Sequence, residues 1–165
     1  MKYVPLLLFV ASVMACTPEK PAQVAFPSAQ NYIQADKDAT ALAYHQSVYV
    51  PVYSEIYLDH NRRILLTATL SIRNTSTTET LYIDKVEYHG SSGQLLRQYL
   101  TNPIQVKAMA AATFVVEQNE KEGGPGASFV VHWGADTTLS PVIQAVMIGA
   151  QGQQGISFVT EGHLQ

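Results

Sequence analysis

Between Val48 and Thr160 the chain is a succession of short runs of β-branched and aromatic residues, separated by clusters of Gly, Pro, Asn, Ser and Thr. Runs of this kind are typical of the strands of a sandwich or barrel. The clearest run, residues 66–73, alternates between apolar side chains at even positions and polar side chains at odd positions. A strand with this period of two buries one face and exposes the other. The pattern therefore predicts an all-β fold.

Eight strands are predicted from this pattern, at residues 48–57, 66–73, 81–88, 95–100, 114–116, 129–133, 142–148 and 156–160. The turn Gly90-Ser91-Ser92-Gly93 joins the third and fourth of them into a hairpin. Residues 142–148 are also compatible with a buried helical turn. The predicted fold class is an all-β, two-sheet antiparallel sandwich of immunoglobulin-like type, with about 7–8 strands, spanning residues 47–165.

The N-terminus has the layout of a secretory signal peptide: Lys2, an apolar run at residues 4–10, and small residues up to Ala15. This run is far shorter than the roughly 20 residues that a membrane-spanning helix needs. Val13-Met14-Ala15-Cys16 resembles the lipobox of bacterial lipoproteins. The resemblance implies a signal peptide at residues 1–15 and a lipidated Cys16, whose acyl chains bind the mature protein to a membrane. The alternative is an ordinary secreted protein with a chance cysteine.

Thr17, rather than an aspartate, follows the lipidated position. In lipoproteins this implies the outer membrane, with the domain facing the periplasm, if the host has two membranes. Residues 16–46 carry Pro18, Pro21 and Pro27, many alanines and glutamines, and no sustained period of two. We expect this segment to be a flexible tether between lipid and domain, with a short helix at residues 35–44 as an alternative.

Charge and cysteine content exclude several classes of protein. The chain has 10 basic and 13 acidic residues and a formal net charge of -3, so it has no surplus of cations for a nucleic acid. Cys16 is its only cysteine, so no disulfide can form within the chain.

Residue patterns for catalysis and metal binding are missing from the sequence. The nucleophile motif G-x-S-x-G is absent, and the five histidines have no H-x-x-x-H spacing. We therefore predict no catalytic residue, no metal ligand and no cofactor. Strands can still bring distant side chains together, so a small-ligand or metal site, enzymatic or not, built from His89, His132 and the loop at Glu117 is the alternative.

Three tyrosines are the predicted binding residues. In an extended strand Tyr49, Tyr53 and Tyr57 share one face, and the valines between them share the other. The valine face is the natural core, and amphipathic tyrosine rings on the opposite face suit contacts with a protein or a glycan. Packing of the tether over these rings is the alternative. Pro51 cannot donate a ladder hydrogen bond, which favours an edge strand.

Several segments in order, among them Val48-Tyr49-Val50-Pro51-Val52-Tyr53-Ser54, residues 66–74, Phe114-Val115-Val116-Glu117 and Ala145-Val146-Met147-Ile148-Gly149, resemble an uncharacterised bacterial family, the domain-of-unknown-function family 3124. The resemblance covers nearly all of residues 47–162. It implies an exported or lipid-anchored envelope protein, and it assigns no activity and no site residues. The sequence therefore predicts a lipid-anchored envelope protein that binds a protein or a glycan without catalysis.

Overall fold

The structure is a computed structural model that describes residues 33–165. The predicted signal peptide, Cys16 and the first half of the predicted tether lie outside these residues. The described part is all-β: it contains 13 strands and one 3-10 helix, Ala39–Ala41, and no α-helix. The strands are β1 (Ile33–Gln34), β2 (Tyr44–Val52), β3 (Glu55–Asp59), β4 (Arg62–Leu65), β5 (Thr67–Arg73), β6 (Leu81–His89), β7 (Leu95–Gln98), β8 (Ile104–Val106), β9 (Ala111–Val116), β10 (Ala127–Ala135), β11 (Val142–Gln151), β12 (Gln154–Glu161) and β13 (His163–Leu164).

Two antiparallel sheets make up most of the domain. Sheet 1 has the strand order β1-β8-β6-β10-β2-β13, with β7 also paired to β6, and sheet 2 has the order β12-β11-β5-β9. A separate two-stranded ribbon consists of β3 and β4. The prediction of antiparallel sheets is confirmed, as is the hairpin of β6 and β7. The predicted number of 7–8 strands is too low for two reasons. Strands β1, β4, β8 and β13 have two to four residues each and are too short to show a period, and the predicted strand at residues 48–57 is divided between β2 and β3.

Buried side chains from both sheets form one hydrophobic core. Sheet 1 contributes the predicted valine face, Val48, Val50 and Val52, together with Phe129 of β10. The alternating residues of β5 supply Ala68, Leu70 and Ile72 from sheet 2. All these residues are at most 5% exposed, so the period-two reading of both strands is confirmed.

The predicted strand at residues 48–57 is interrupted at Ser54. The backbone N–H of Ser54 donates to Gly124 O, at 3.2 Å, and its carbonyl accepts from the N–H of Leu66, at 2.8 Å. Ser54 and Glu55 are both buried, so the alternation of inward and outward side chains changes phase here. Residues after Ser54 belong to the ribbon of β3 and β4.

The chain before residue 47 already takes part in the domain. Strand β1 pairs with β8, and the backbone N–H of Ala39, which is fully buried, donates to Asp84 Oδ1 at 2.8 Å. Asp38 caps the 3-10 helix by accepting from the N–H of Thr40. The structure therefore places the start of the folded chain at least as early as Ile33, where the sequence predicts a tether.

Gly162 marks the point where the chain passes from sheet 2 to sheet 1. Strand β12 pairs with β11 in sheet 2, whereas β13, two residues later, pairs with Val48 and Tyr49 of β2 in sheet 1. A Cβ atom on Gly162 would lie 2.6 Å from Cγ1 of Val48 and 3.0 Å from the carbonyl oxygen of Ile143. Only glycine allows the two sheets to approach this closely.

Pro51 lies outside the part of β2 that pairs with β13, which comprises Val48 and Tyr49. Its carbonyl accepts from the Thr160 hydroxyl, at 2.6 Å, on the side of β2 where β13 has ended. Because the N and C=O groups of one residue point to the same side of an extended strand, the missing N–H of Pro51 costs no ladder hydrogen bond. This segment of β2 is therefore an edge, in agreement with the prediction from Pro51.

Candidate functional site

The outer face of sheet 1 carries four partly buried side chains that are suited to recognition: Tyr49 of β2, Glu87 and His89 of β6, and His132 of β10. We name these four residues the His–Glu face. Tyr49, Val130 and Glu87 stand in one register row across three neighbouring strands. Each of the four alternates along its strand with buried core residues, so all point away from the core.

Both histidines are directed at the same carboxylate. The Nε2 atom of His89 lies 3.6 Å from Glu87 Oε2, and the Nε2 atom of His132 lies 3.8 Å from the same oxygen. Nδ1 of His89 is 3.2 Å from the carbonyl oxygen of Gly93 in the hairpin turn. A carbonyl can only accept, so Nδ1 carries the proton in this contact and the ring is held with Nε2 towards Glu87.

Asp84 lies on β6, three residues before Glu87. Burial raises the pKa of the Asp84 carboxyl, while its hydrogen bond from Ala39 N–H and the nearby His132 act in the opposite direction. The carboxylate therefore holds the segment before β2 against β6.

The three predicted tyrosines lie in three different environments. Tyr49 belongs to the His–Glu face and is opposite His163 of β13. Tyr53 packs edge-to-face on Phe158 of β12, with ring centroids 5.6 Å apart, and contributes to the packing around the core. Tyr57 is 54% exposed on β3, where the guanidinium of Arg63 lies 5.0 Å from its ring centroid. Because the strand breaks at Ser54, the tyrosines do not form one continuous face.

Ser91 holds two glycine-containing loops together. Its hydroxyl donates to Gly123 O and accepts from Gly126 N–H, each at 2.8 Å. Its backbone N–H also donates to Gly123 O. The hydroxyl of Ser92, in the same turn, contacts Gln94. Ser91 therefore makes structural hydrogen bonds, as expected of a turn residue.

The glutamates of the loop that follows β9 contact residues other than His89 and His132. Glu120 is 3.4 Å from the guanidinium of Arg97 and also accepts from the N–H of Glu122. Glu117 borders a separate shallow groove of about 450 Å³, together with Leu65 and Val115. Within residues 33–165 no group of three or more His, Cys, Asp or Glu side chains has an arrangement that could hold a metal ion.

A second cleft, of about 430 Å³, opens where the inner faces of the two sheets separate. It lies between β2, β10 and β13 on one side and the segment leading into β11 on the other. Trp133, which is 3% exposed, forms part of its wall. Within the described part of the chain no helix is long and apolar enough to cross a membrane.

Glu87 and the second cleft were both missed by sequence reasoning. Glu87 is one of many glutamates, and only the antiparallel register of β6 and β10 shows that it lies between two histidines 43 positions apart in the chain. The alternation of residues 81–89 could have shown that Glu87 and His89 share the outer face. Nothing in the sequence indicates the cleft, which depends on how the two sheets diverge.

The match to a family model decides the relationship of this chain to known proteins. The family is described as a protein of unknown function (DUF3124), and its model matches residues 45–164. The chain belongs to this family. The family description assigns no activity to DUF3124 proteins.

Two further comparisons add little to the DUF3124 assignment. The crystal structure of Thermotoga maritima 1070 is similar over 73% of this chain and 94% of that chain, with 9% sequence identity and a TM-score of 0.42. No curated protein matches the sequence.

Proposed function

We propose that this DUF3124 protein is a lipid-anchored protein of the bacterial cell envelope that binds a protein or glycan through the His–Glu face and catalyses no reaction. The lipobox-like sequence ending at Cys16 supports the anchor, and Thr17 supports the outer membrane of a host with two membranes. We further propose that the two sheets form a sandwich of immunoglobulin-like type.

The observation that carries this proposal is the position of Tyr49, Glu87, His89 and His132 on adjacent strands of one sheet. A sheet holds such side chains rigidly, so little conformational entropy is lost when a partner binds. Tyrosine supplies contact area together with a hydroxyl group, and the histidines and glutamate supply directional hydrogen bonds. The burial of all four is intermediate, which leaves them accessible to a partner.

The runner-up function is a small-ligand or metal-binding module. His89 and His132 both face Glu87, and imidazole and carboxylate are common ligands of transition metals. Against a metal site, no group of three or more such side chains within residues 33–165 has an arrangement that could hold a metal ion. Glu117, the third member predicted from the sequence, borders a different groove. The interaction module is therefore the better supported of the two.

The anchor is tested by the substitution Cys16→Ser. Lipidation requires the thiol, so the variant is expected to leave the membrane fraction of cells that retain the wild-type protein in it. If the variant remains in the membrane fraction in undiminished amount, the lipid anchor is wrong. Immunoblots of separated membrane and soluble fractions measure this directly.

The binding face is tested by covalent cross-linking in intact cells followed by mass spectrometry. The double variant Tyr49→Ala/His132→Ala removes two members of the His–Glu face, and Tyr57→Ala is the matched control at an exposed tyrosine outside it. We expect a dominant partner that is lost in the double variant and retained in the control. Loss of the partner in the control alone would place the binding site on the ribbon and contradict the proposal.

A further inference from the structure

Strand β12 is an edge of sheet 2 that lacks the features protecting the other sheet edges of this domain. Within residues 33–165 it pairs with β11 alone. The edge strands of sheet 1, β1 and β13, have two residues each, and the open segment of β2 carries Pro51. At β9, the other edge of sheet 2, Val115 O accepts from the Tyr99 hydroxyl. Strand β12 has eight residues and contains no proline, lysine or arginine. A long edge of this kind is a template for pairing with another strand.

The backbone groups of Gly155, Ser157 and Val159 point to the open side of β12. In the register of β11 and β12, the N–H of Gly162 donates to Ile143 O at 2.9 Å. Because hydrogen-bonding groups alternate along an antiparallel strand, the even-numbered residues of β12 bond to β11 and the odd-numbered residues face away from it. The open side is accessible: the three residues are exposed, and a Cβ atom added to Gly155 would meet no atom within 4 Å.

Contacts at both ends of β12 limit the free stretch to residues 155–159. At one end the Thr160 hydroxyl donates to Pro51 O of β2, at 2.6 Å. At the other end Gln154 pairs with Gln151 next to the hairpin turn. None of residues 155–159 carries a charge. The residue at the centre of this stretch is Ser157.

The free stretch is complementary to a second copy of itself. In an antiparallel pair with a two-fold axis at Ser157, Gly155 lies opposite Val159 of the second copy, and Ile156 lies opposite Phe158. Val159, which is 53% exposed, then lies beside a residue without a side chain. Ile156 and Phe158, which pack partly buried against the core, contact one another across the pair. The odd-numbered residues supply the hydrogen bonds, and no like charges lie opposite each other.

We propose that two copies of this chain associate by antiparallel pairing of β12 over residues 155–159, so that the two copies of sheet 2 form one continuous sheet. A closed two-fold dimer is the commonest form of homo-oligomer. The dimer interface is separate from the His–Glu face and does not depend on the function proposed for that face. A cross-link across it joins two copies of the chain and does not require Tyr49, which distinguishes it from a cross-link to a partner of the His–Glu face.

Charged residues at position 157 test both the interface and its register, because Ser157 lies opposite Ser157 of the second copy. The full chain with Cys16→Ser, which removes the thiol needed for lipidation, is purified and its mass is measured by analytical ultracentrifugation over a range of concentrations. We expect it to dimerise. Ser157→Lys and Ser157→Glu should each dimerise at least about tenfold more weakly, because like charges then lie opposite each other. An equimolar mixture of the two variants should restore dimerisation.

Ser92→Lys and Ser92→Glu are the matched controls, because Ser92 is an exposed serine in the turn between β6 and β7. Both are expected to dimerise like the unsubstituted protein. Unfolding midpoints measured by circular dichroism show which variants are folded. Amide hydrogen exchange of the unsubstituted protein gives a second measurement that needs no variant. The N–H groups of Ser157 and Val159 should exchange more slowly as the protein concentration rises.

Four results would overturn the inference. One is a monomer at every concentration. Another is dimerisation that Ser157→Lys and Ser157→Glu leave unchanged, or that the Ser92 variants weaken equally. The third is a mixture of the two Ser157 variants that dimerises no better than either variant alone, because position 157 would then not lie opposite itself. The fourth is exchange at Ser157 and Val159 that does not depend on concentration.

Discussion

The Nε2 atom of His132 lies 3.8 Å from Oε2 of Glu87, across the boundary between β10 and β6 on the outer face of sheet 1. Both side chains are partly exposed, at 37% and 22% of their surface. Ion pairs between exposed side chains typically contribute 0–1 kcal/mol to stability, roughly. The contact is therefore a minor part of what holds the two strands together.

The first prediction concerns the His–Glu face and stability. Glu87→Gln and His132→Gln are each expected to change the free energy of unfolding by less than about 1 kcal/mol, because the strands are held by ladder hydrogen bonds and by the core. Urea unfolding followed by circular dichroism measures the change. A loss of several kcal/mol in either variant would mean that this cluster is structural and not a recognition surface.

The second prediction separates Tyr53 from Tyr57. Tyr53→Ala removes a ring that packs on Phe158 and should cost about 2–3 kcal/mol of unfolding free energy. Tyr57→Ala removes an exposed ring and its contact with Arg63, which is worth about 0.5–1 kcal/mol. Thermal unfolding of the two variants should show a clearly lower midpoint for Tyr53→Ala. Equal midpoints would contradict the packing role of Tyr53.

How far the sequence predicts this fold depends on the length of each element. Strands with several alternations, such as β5 and β10, are recognisable because their buried and exposed residues repeat. Strands β1 and β13 have two residues each, so no period exists to be recognised, and their pairing is determined by tertiary contacts. Length alone is not sufficient, because the long run at residues 48–57 does not form one continuous strand. Hydrogen bonds of Ser54 with Leu66 and Gly124 direct the chain out of sheet 1.

The candidate site is only partly predictable for the same reason. Tyr49 and His132 are identified as outward-facing from alternation alone, but their neighbours on other strands depend on register. A period of two continued from Tyr49 to Tyr57 predicts that the two residues share a face. The strand breaks between them at Ser54, and no sequence motif marks this break. Contacts such as that between Glu87 and the two histidines follow from strand order, which a single sequence does not contain.

The third prediction concerns Gly162 at the passage between sheets. Gly162→Ala would place a methyl group against Val48 and the carbonyl of Ile143, and such overpacking costs about 1–3 kcal/mol. Gly155→Ala in β12 is the control, since an added Cβ there meets no atom within 4 Å. The control should change the unfolding free energy by no more than about 0.5 kcal/mol. Similar losses in both variants would show that the crowding at Gly162 is not responsible.

The fourth prediction is a loss of stability at alkaline pH caused by Tyr99. Its hydroxyl donates to Val115 O at 2.9 Å, and burial raises the pKa of Tyr99 to about 12. In the unfolded chain a tyrosine ionises near pH 10, so between about pH 10 and pH 12 the unfolded state releases a proton that the folded state retains. The contribution of Tyr99 to stability is therefore constant below about pH 10 and falls above it.

Tyr99→Phe is the variant that checks this pH dependence. It should unfold more easily at neutral pH by about 1 kcal/mol, because Val115 O loses its donor. Its stability should then fall less steeply than that of the wild type between about pH 10 and pH 12. Burial also raises the pKa of Tyr82 and Tyr88, so part of the slope will remain. Parallel profiles for variant and wild type would contradict the role of Tyr99.

The central claim is that the outer face of sheet 1 binds a partner in the envelope, and site-specific photo-cross-linking in living cells tests it most directly. A photoreactive amino acid replaces Lys85, which is exposed and opposite His132 in the register, or Ser157, which is exposed on the outer face of sheet 2. The account predicts a specific cross-linked product from position 85, lost when Tyr49→Ala is added, and no such product from position 157. A product from position 157 alone would contradict the claim and assign recognition to the opposite sheet.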